Sequence, residues 1–358
     1  MKSVPHHTEV NSFIYKGNVF NGTPAITDLC TAFRSSGDEC LSDLADFLLC
    51  WLDGSDYIVL QTSGSTGRPK QIKVSKKAML VSAQKTLHFF NLQHGDKALL
   101  CLSPKYIAGK MMVLRSMLGR LNLLYYGLSS NPLRNLNESI DFVAMVPAQA
   151  QEVYLETKAK FDLITQLIIG GAAVGQELKS NLATLQTKCW ETYGMTETVS
   201  HIALRTISDE GNNGFNPLPG VDISINEDRC LLIDAPDLLE KPLVTNDLVD
   251  ISDDGQFHLL GRIDNVINTG GVKVVSEQIE NTLSAFIKER IAVVGLPDIK
   301  WGQRVVLVIE GDHYEFDESI FDDLKKYEKP KEIIFLKSFP ISATGKIKRS
   351  EIKELLSQ

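Results

Sequence analysis

Residues 58–70 read IVLQTSGSTGRPK, and no other stretch restricts the fold as tightly. Three apolar residues, Ile58, Val59 and Leu60, run into hydroxyls at Thr62, Ser63, Ser65 and Thr66, glycines at Gly64 and Gly67, and a closing Lys70. Glycine lets a backbone approach a ligand with no Cβ in the way, and successive N–H groups make a concave anion site. Lysine adds a full charge, and hydroxyls follow an oxygen as it moves. The pattern predicts a polyphosphate loop after a strand. It is not the G-x-x-x-x-G-K-[ST] loop, because Gly67 is followed by Arg68-Pro69-Lys70 and proline removes an N–H. Taken alone, an ordinary Gly/Ser/Thr connection reads the same way.

A chain of 358 residues suggests two domains with sizeable cores. The net charge of −8 does not indicate a nucleic-acid partner. Residues Lys325–Gln358 depart from it with nine Lys/Arg against four Asp/Glu, either a solvated basic face or a lid drawn to phosphate-rich ligands. Six scattered cysteines without C-x-x-C or zinc spacing read as reduced thiols of a cytoplasmic protein. The opening MKSVPHHTEV has no apolar signal core, no run approaches the ~18 apolar residues of a membrane span, and His6-His7 is too short to argue for a metal site.

Before the loop, Leu41–Leu52 is the best amphipathic helix, and residues 1–56 carry no legible chemistry. After it, Met79, Leu80, Ala83, Leu87 and Phe90 recur at helical spacing behind Ser75 as N-cap. Strand-like and helix-like segments then alternate: KALLCLS, KMMVLRSMLGR, NLLYY, DFVAMV with a helix starting at Pro147, and QLIIGG. That alternation predicts βαβ units and a mostly parallel sheet. Beyond about Ser200 come short strands with a hairpin signal at Asp254-Gly255. From Ser276 the expected order is a helix over 276–289, strands IAVVGL and RVVLVIEG, a helix over 319–327, and strand EIIFLK.

TSGSTGRPK resembles the phosphate-loop signature of the adenylate-forming superfamily, which includes acyl- and aryl-CoA ligases, and further motifs of that family follow in order. Pro104–Gly109 fits its Pro-x-x-x-x-Gly stretch with Tyr106 at the aromatic place; Gly170-Gly171-Ala172 ends a buried strand; Trp190–Glu197 reads WETYGMTE. Thr245-Asn246-Asp247, the GRxD stretch Gly261–Asp264, Asn268–Lys273 and Pro340–Arg349 (PISATGKIKR) complete the series. The resemblance implies an α/β fold: a large N-terminal domain, 1–262, with mostly parallel sheets and helices, and a small mobile C-terminal α+β domain, 263–358.

It also implies roles. ATP would be held by Thr62, Ser63, Gly64, Ser65, Thr66, Gly67, Lys70, Gly170, Gly171, Ala172, Tyr193, Gly194, Asp247 and Arg262. Glu197 would be the Mg²⁺ ligand, with Thr196 at the α-phosphate and Lys346 the catalytic lysine of the lid. Asp264 would be the hinge, and Gly270, Gly271 and Lys273 the hairpin receiving coenzyme A. The implied reaction is ATP-dependent activation of a small carboxylic acid to an acyl-adenylate, then thioester formation with coenzyme A. The strings YIAGK and YGMTETVSHI resemble most a branch whose substrate bears a second carboxylate and an aryl ketone. Lys110 or Arg115 would then meet the charge, beside Tyr106, and Ser200 or His201 would make polar contacts; His201 as a merely satisfied polar residue is the alternative. Only 61 residues precede Thr62 where the family usually carries a hundred or more, which places the acyl pocket's edges in question. Another acid ligase, or a nucleotide-binding regulator without catalysis, are the competing readings. An oligomer is possible.

Overall fold

The computed structural model describes residues 4–62, 70–207, 214–341 and 347–357. The N-terminal stretch supplies architecture. A hairpin of β1 (Ser12–Tyr15) and β2 (Asn18–Asn21) turns on Lys16 and Gly17, both at positive φ (48° and 78°), the turn whose twist suits two strands. Helices α1 (Gly22–Ser35) and α2 (Glu39–Leu52) follow, the second capped by Asp38, which accepts the Leu41 N–H at 3.0 Å. Trp51 at the end of α2 is fully buried and donates its indole N–H to Val10 O at 3.1 Å.

Strands β3 (Tyr57–Thr62) and β4 (Lys70–Ser75) pair antiparallel with Thr62 opposite Lys70. The chain thus leaves one strand at Thr62 and enters another at Lys70, whereas a P-loop would run straight into a helix. Then come α3 (Lys76–Phe89), β5 (Lys97–Leu99), α4 (Ile107–Gly119), β6 (Asn122–Leu124), β7 (Ile140–Met145), α5 (Pro147–Thr157), β8 (Ile164–Ile169), α6 (Gln176–Ala183), β9 (Lys188–Gly194), β10 (His201–Thr206) and β11 (Asn216–Pro217). They build one sheet in the order β11-β10-β9-β8-β7-β5-β6-β1-β2, parallel from β9 to β1 and antiparallel at both ends. Its parallel strands are near-continuous apolar runs because helices cover them; Val143, Leu167, Ile169 and Cys189 are buried together with Val153, Leu178 and Leu182 of the helices.

Further on, β12 (Asp222–Ile225), β13 (Cys230–Asp234), β14 (Leu243–Ile251) and β15 (Phe257–Arg262) form a four-stranded sheet whose last turn has Gly255 at φ 81°, at the anticipated Asp-Gly pair. A five-stranded sheet contains β16 (Val266–Thr269), β17 (Val272–Val275), β18 (Ile291–Asp298), β19 (Gly302–Glu310) and β20 (Glu332–Leu336), with helices α7 (Ser276–Leu283) and α8 (Arg349–Leu356). Alternation along β18 serves two cores: Ile291 and Val293 pack with Ile279 and Leu283 of α7, while Ala292 and Val294 pack with Ile352 of α8. Two compact units result, one running to Asp222 with Asp234–Pro242, the other Ile223–Ile233 with Leu243 onward. The four-stranded sheet thus groups mainly with the second unit, although the expected boundary lies at its far end.

Two expected helices are shorter. That over 276–289 stops at Leu283; beyond it the Phe286 N–H turns back to Leu283 O in a tighter i→i−3 bond, and Ile287 is buried in the core. That over 319–327 is only a 3-10 turn, Glu318–Phe321, which Asp317 caps by taking the Ser319 N–H at 2.9 Å, while the Lys325 N–H goes to the Glu328 side chain at 2.9 Å. Helix α8 was not anticipated. No helix among the described residues is long and apolar enough to cross a membrane.

Candidate active site

Ligands of open α/β sheets gather beyond the carboxyl ends of the parallel strands. There β8 hands over to Gly170 and Gly171. A Cβ on Gly170 would stand 2.2 Å from Thr192 Oγ1, and Gly171 has φ 86°, so both positions require glycine. Ala172 is exposed beside them. Thr192 in turn donates its hydroxyl to Ile169 O at 3.2 Å, clamping the ends of β8 and β9 together.

The turn from β9 to β10 is held from inside. The fully buried Thr198 hydroxyl accepts the Met195 N–H at 3.0 Å and lies 2.9 Å from Ser200 O. Val199 adopts φ 69°, and a Cβ on Gly194 would come within 2.3 Å of Ser200 O. At the tip, Thr196 is half-buried and Glu197 exposed, with no hydrogen bond or ion pair to Glu197 among the described residues. A free carboxylate suits a hard cation that keeps most of its water and phosphate oxygens. Beneath the turn Glu191, 3% exposed, accepts the Val174 N–H at 3.1 Å and pairs with Lys179 (3.2 Å) and Arg205 (2.6 Å). The Arg205 guanidinium covers the Phe215 ring at 4.4 Å, and Phe215 meets the buried Tyr193 ring at 5.9 Å.

Arg115, Ser200 and His201 come together. Arg115 is 2% exposed and donates from Nη2 to Ser200 Oγ at 2.9 Å; its Nε has no hydrogen-bond partner, and no carboxylate pairs with it among the described residues. Burial pushes its pKa down to about 9. The His201 ring lies between Ser200 Oγ (3.4 Å from Nδ1) and Thr86 Oγ1 (3.3 Å from Nε2). Because Thr86 donates its own proton to Ser82 O at 3.1 Å, Nε2 carries the ring proton and Nδ1 accepts from Ser200. Burial, then the Arg115 charge, hold the His201 pKa well below its ordinary value, so the ring is neutral.

Lys110 does not join them. Its ammonium is taken by the carbonyls of Pro104 and Lys105 and lies 5.6 Å over the Phe47 ring. Burial lowers its pKa. Tyr106, at the start of α4, is 51% exposed. Gly109 permits the tight loop before it, since a Cβ there would stand 2.3 Å from Ser103 O.

In the second unit Asp247 and Arg262 are register partners on β14 and β15 and pair at 3.2 Å; Arg262 also holds Asp264 at 2.9 Å, which Asn246 bonds at 3.0 Å. The Arg262 bond, foremost, keeps the Asp264 carboxyl below the usual range. The hairpin β16–β17 turns on Gly270 and Gly271 at φ 60° and 80°, with Lys273 exposed on β17. A Cβ on Gly270 would reach 2.7 Å from the Trp301 ring, whereas one on Gly271 would meet open space. Trp301 packs edge-on to Tyr327 at 6.3 Å and carries Lys300 5.0 Å over its ring.

Ser63, Gly64, Ser65, Thr66, Gly67 and Lys346 lie outside the described residues. Sequence reasoning missed Glu191, Thr198, Thr86 and Trp301. Glu191 left a signal, a charge at an inward position of a strand beside the buried Cys189. Away from these groups, His6, His7 and Asp56 bring possible ligand atoms within 4.8 Å of one another, with the buried His7 bonded to Asp56 at 3.1 Å.

Residues 18–234 match the family described as AMP-binding enzyme. The 2-succinylbenzoate–CoA ligase of Lactococcus lactis is 26% identical over 320 residues, 83% of this chain and 70% of that protein. Among solved structures, an acyl-CoA synthetase (AMP-forming)/AMP-acid ligase II-like protein from Dyadobacter fermentans is 36% identical, with TM-score 0.62 over 92% of this chain and 98% of that one. The o-succinylbenzoate CoA synthetase of Bacillus subtilis, solved with its acyl-adenylate, is 17% identical and shares the fold with TM-score 0.77 over 95% and 94%. With strand ends, turn and loop hairpin in the expected order, and a family match over more than half its length, the chain belongs to the AMP-binding enzymes, the adenylate-forming family of acid:CoA ligases.

Proposed function

We propose that this chain activates o-succinylbenzoate with ATP and transfers the acyl group to coenzyme A. The observation that carries the substrate is Arg115: a guanidinium buried with no carboxylate partner among the described residues, bonded to Ser200 beside a neutral His201. An uncompensated buried charge is costly unless something pairs with it. A second carboxylate on the substrate would be that partner, with Ser200 and His201 offering polar contacts to an aryl ketone. The Lactococcus relative, named for the same acid, supports the reading.

A carboxylate is a poor electrophile and repels a triphosphate, so the reaction needs positive charge where it develops. Magnesium, when bound, would neutralise phosphate charge, and Glu197 is the carboxylate suited to hold it. The acid's oxygen attacks the α-phosphorus, the bond to the β-phosphate oxygen breaks, and pyrophosphate leaves. Lys346, Thr196, Lys70 and the loop residues Thr62, Ser63, Ser65 and Thr66 donate to that charge. Each such donor is typically worth about 2.7–4 kcal/mol. Gly170, Gly171, Ala172, Tyr193 and Gly194 would line the adenine, and Asp247 with Arg262 the ribose. The C-terminal unit then turns about Asp264 and presents the Gly270-Gly271 hairpin with Lys273. The coenzyme A thiol attacks the acyl carbon, the acyl–phosphate bond breaks, and AMP departs.

Acid-dependent pyrophosphate release over a dozen carboxylic acids tests the reading. We expect the largest kcat/KM with o-succinylbenzoate; preference for a simple aryl or fatty acid would refute the substrate, and no release with any acid would point to a nucleotide-binding protein without catalysis.

A further inference from the structure

The lysine-bearing segment is anchored from both ends. Ile341 bridges antiparallel to Ile347, and the Lys348 N–H donates to Pro340 O at 2.9 Å, so the residues flanking 342–346 on either side are held together. On one side Phe339 is buried and its N–H donates to Glu310 at 2.7 Å. On the other Arg349, three residues beyond Lys346, reaches back to α7. Its Nη2 bonds Glu280, and its Nη1 lies 3.8 Å from Glu277. Glu280 also takes the Val293 N–H at 2.6 Å, and Glu277 takes the side-chain amide of Asn265 at 2.5 Å, next to Asp264.

These groups are enclosed rather than solvated. The three side chains are 14–21% exposed, and Glu277 Oε2 and Arg349 Nε are buried with no hydrogen-bond partner among the described residues. Glu277 is held close as well: a Cβ on Gly261 would stand 2.4 Å from its Oε2. One helix therefore ties the GRxD stretch to Arg349, three residues after the lysine. A solvated ion pair adds little stability, whereas one enclosed between fixed elements sets a geometry.

We propose that Arg349 is a positioning residue: through Glu280 and Glu277 it fixes the chain at Ile347 and Lys348, directly after Lys346 in sequence, and hence where the Lys346 ammonium is delivered during adenylation. The inference rests on the proposed acid activation. Arg349→Met and Arg349→Lys are compared with wild type in three readouts: amide exchange at Lys348, the adenylation half-reaction by pyrophosphate release, and thioester formation from supplied acyl-adenylate. In Arg349→Met, Lys348 exchange rises at least tenfold while the central strand amides of β18 and β19 are unchanged. Its adenylation kcat falls ten- to hundredfold with the KM for ATP within about twofold, and thioester formation stays within about threefold. Arg349→Lys, which keeps one charged bond, recovers at least half of the lost rate on a logarithmic scale. Unchanged Lys348 exchange overturns the proposal, as does an equal fall of both half-reactions with no recovery in the lysine variant. If wild type releases no pyrophosphate with any acid, the activity reading falls, while the exchange comparison still decides the anchoring.

Discussion

Replacing Arg115 by methionine should separate substrate recognition from stability, because the two are expected to move in opposite directions. The guanidinium is buried and its pKa is pushed from 12.5 to about 9 by burial. At 1.36 kcal/mol per pH unit that shift corresponds to an order-of-magnitude penalty of roughly 5 kcal/mol. A base with a depressed pKa carries this penalty in full below about 9, and it fades as pH rises toward 12.5, so neutral assays see all of it. Methionine fills similar length without charge and loses the Ser200 bond, worth about 1.5–3 kcal/mol for a charged donor. The difference leaves a net stabilisation of about 2 kcal/mol. For a folding unit of this size that raises Tm by roughly 5 °C, measurable by thermal unfolding without ligands. Recognition should suffer. Truncating one partner of a buried charge pair costs about 2–5 kcal/mol, so KM for o-succinylbenzoate should rise at least ~30-fold. Benzoate, which lacks the second carboxylate, should change less than about threefold. A lower Tm together with an unchanged KM for the diacid would show that the guanidinium serves the apo fold and not the substrate.

Three further outcomes are expected. His201→Gln should flatten the pH dependence of stability between about 6.5 and 5: the wild-type ring stays neutral when buried while the unfolded imidazole takes a proton, costing up to about 1.4 kcal/mol per pH unit, so urea midpoints of the two proteins should diverge as pH falls. Lys346→Ala should slow pyrophosphate release by roughly two to three powers of ten yet still convert supplied acyl-adenylate to thioester, and equal loss in both steps would remove the reason for a domain rotation. Gly270→Val places its first carbon 2.7 Å from the Trp301 ring and forces a β-branched residue to φ 60°; it should adenylate normally and stall at thiol transfer, whereas Gly271→Asn, in open space, should cost little in either assay.

The α/β alternation was legible because each parallel strand is a continuous apolar run and each helix a periodic one: KALLCLS, NLLYY, DFVAMV and QLIIGG all contain strands of the large sheet. The early end of the helix expected over 276–289 was not, because it depends on a tertiary partner. Ile287 could have continued helix α7, but the core of the C-terminal sheet takes it instead. At the site, motif spacing marked Arg115, Ser200 and His201 separately, yet could not distinguish Arg115 from Lys110. That choice turns on where two long side chains on one helix point: Lys110 finds carbonyls in the loop ahead of α4, and Arg115 finds a serine 85 positions later. Glu191 went unread for the same reason, since its cations come from α6 and β10.

The large sheet ends in β2, four residues with asparagine at either end, paired among the described residues with β1 alone, which itself flanks the wholly buried Leu123 of β6. Such a short border strand is one way a sheet avoids recruiting neighbouring molecules. Deleting residues up to Asn21 would strip both border strands and leave β6 to template intermolecular pairing. Shortened versions beginning at Gly22 should therefore self-associate during refolding, and one that sediments no faster than the intact chain would show that the border is dispensable.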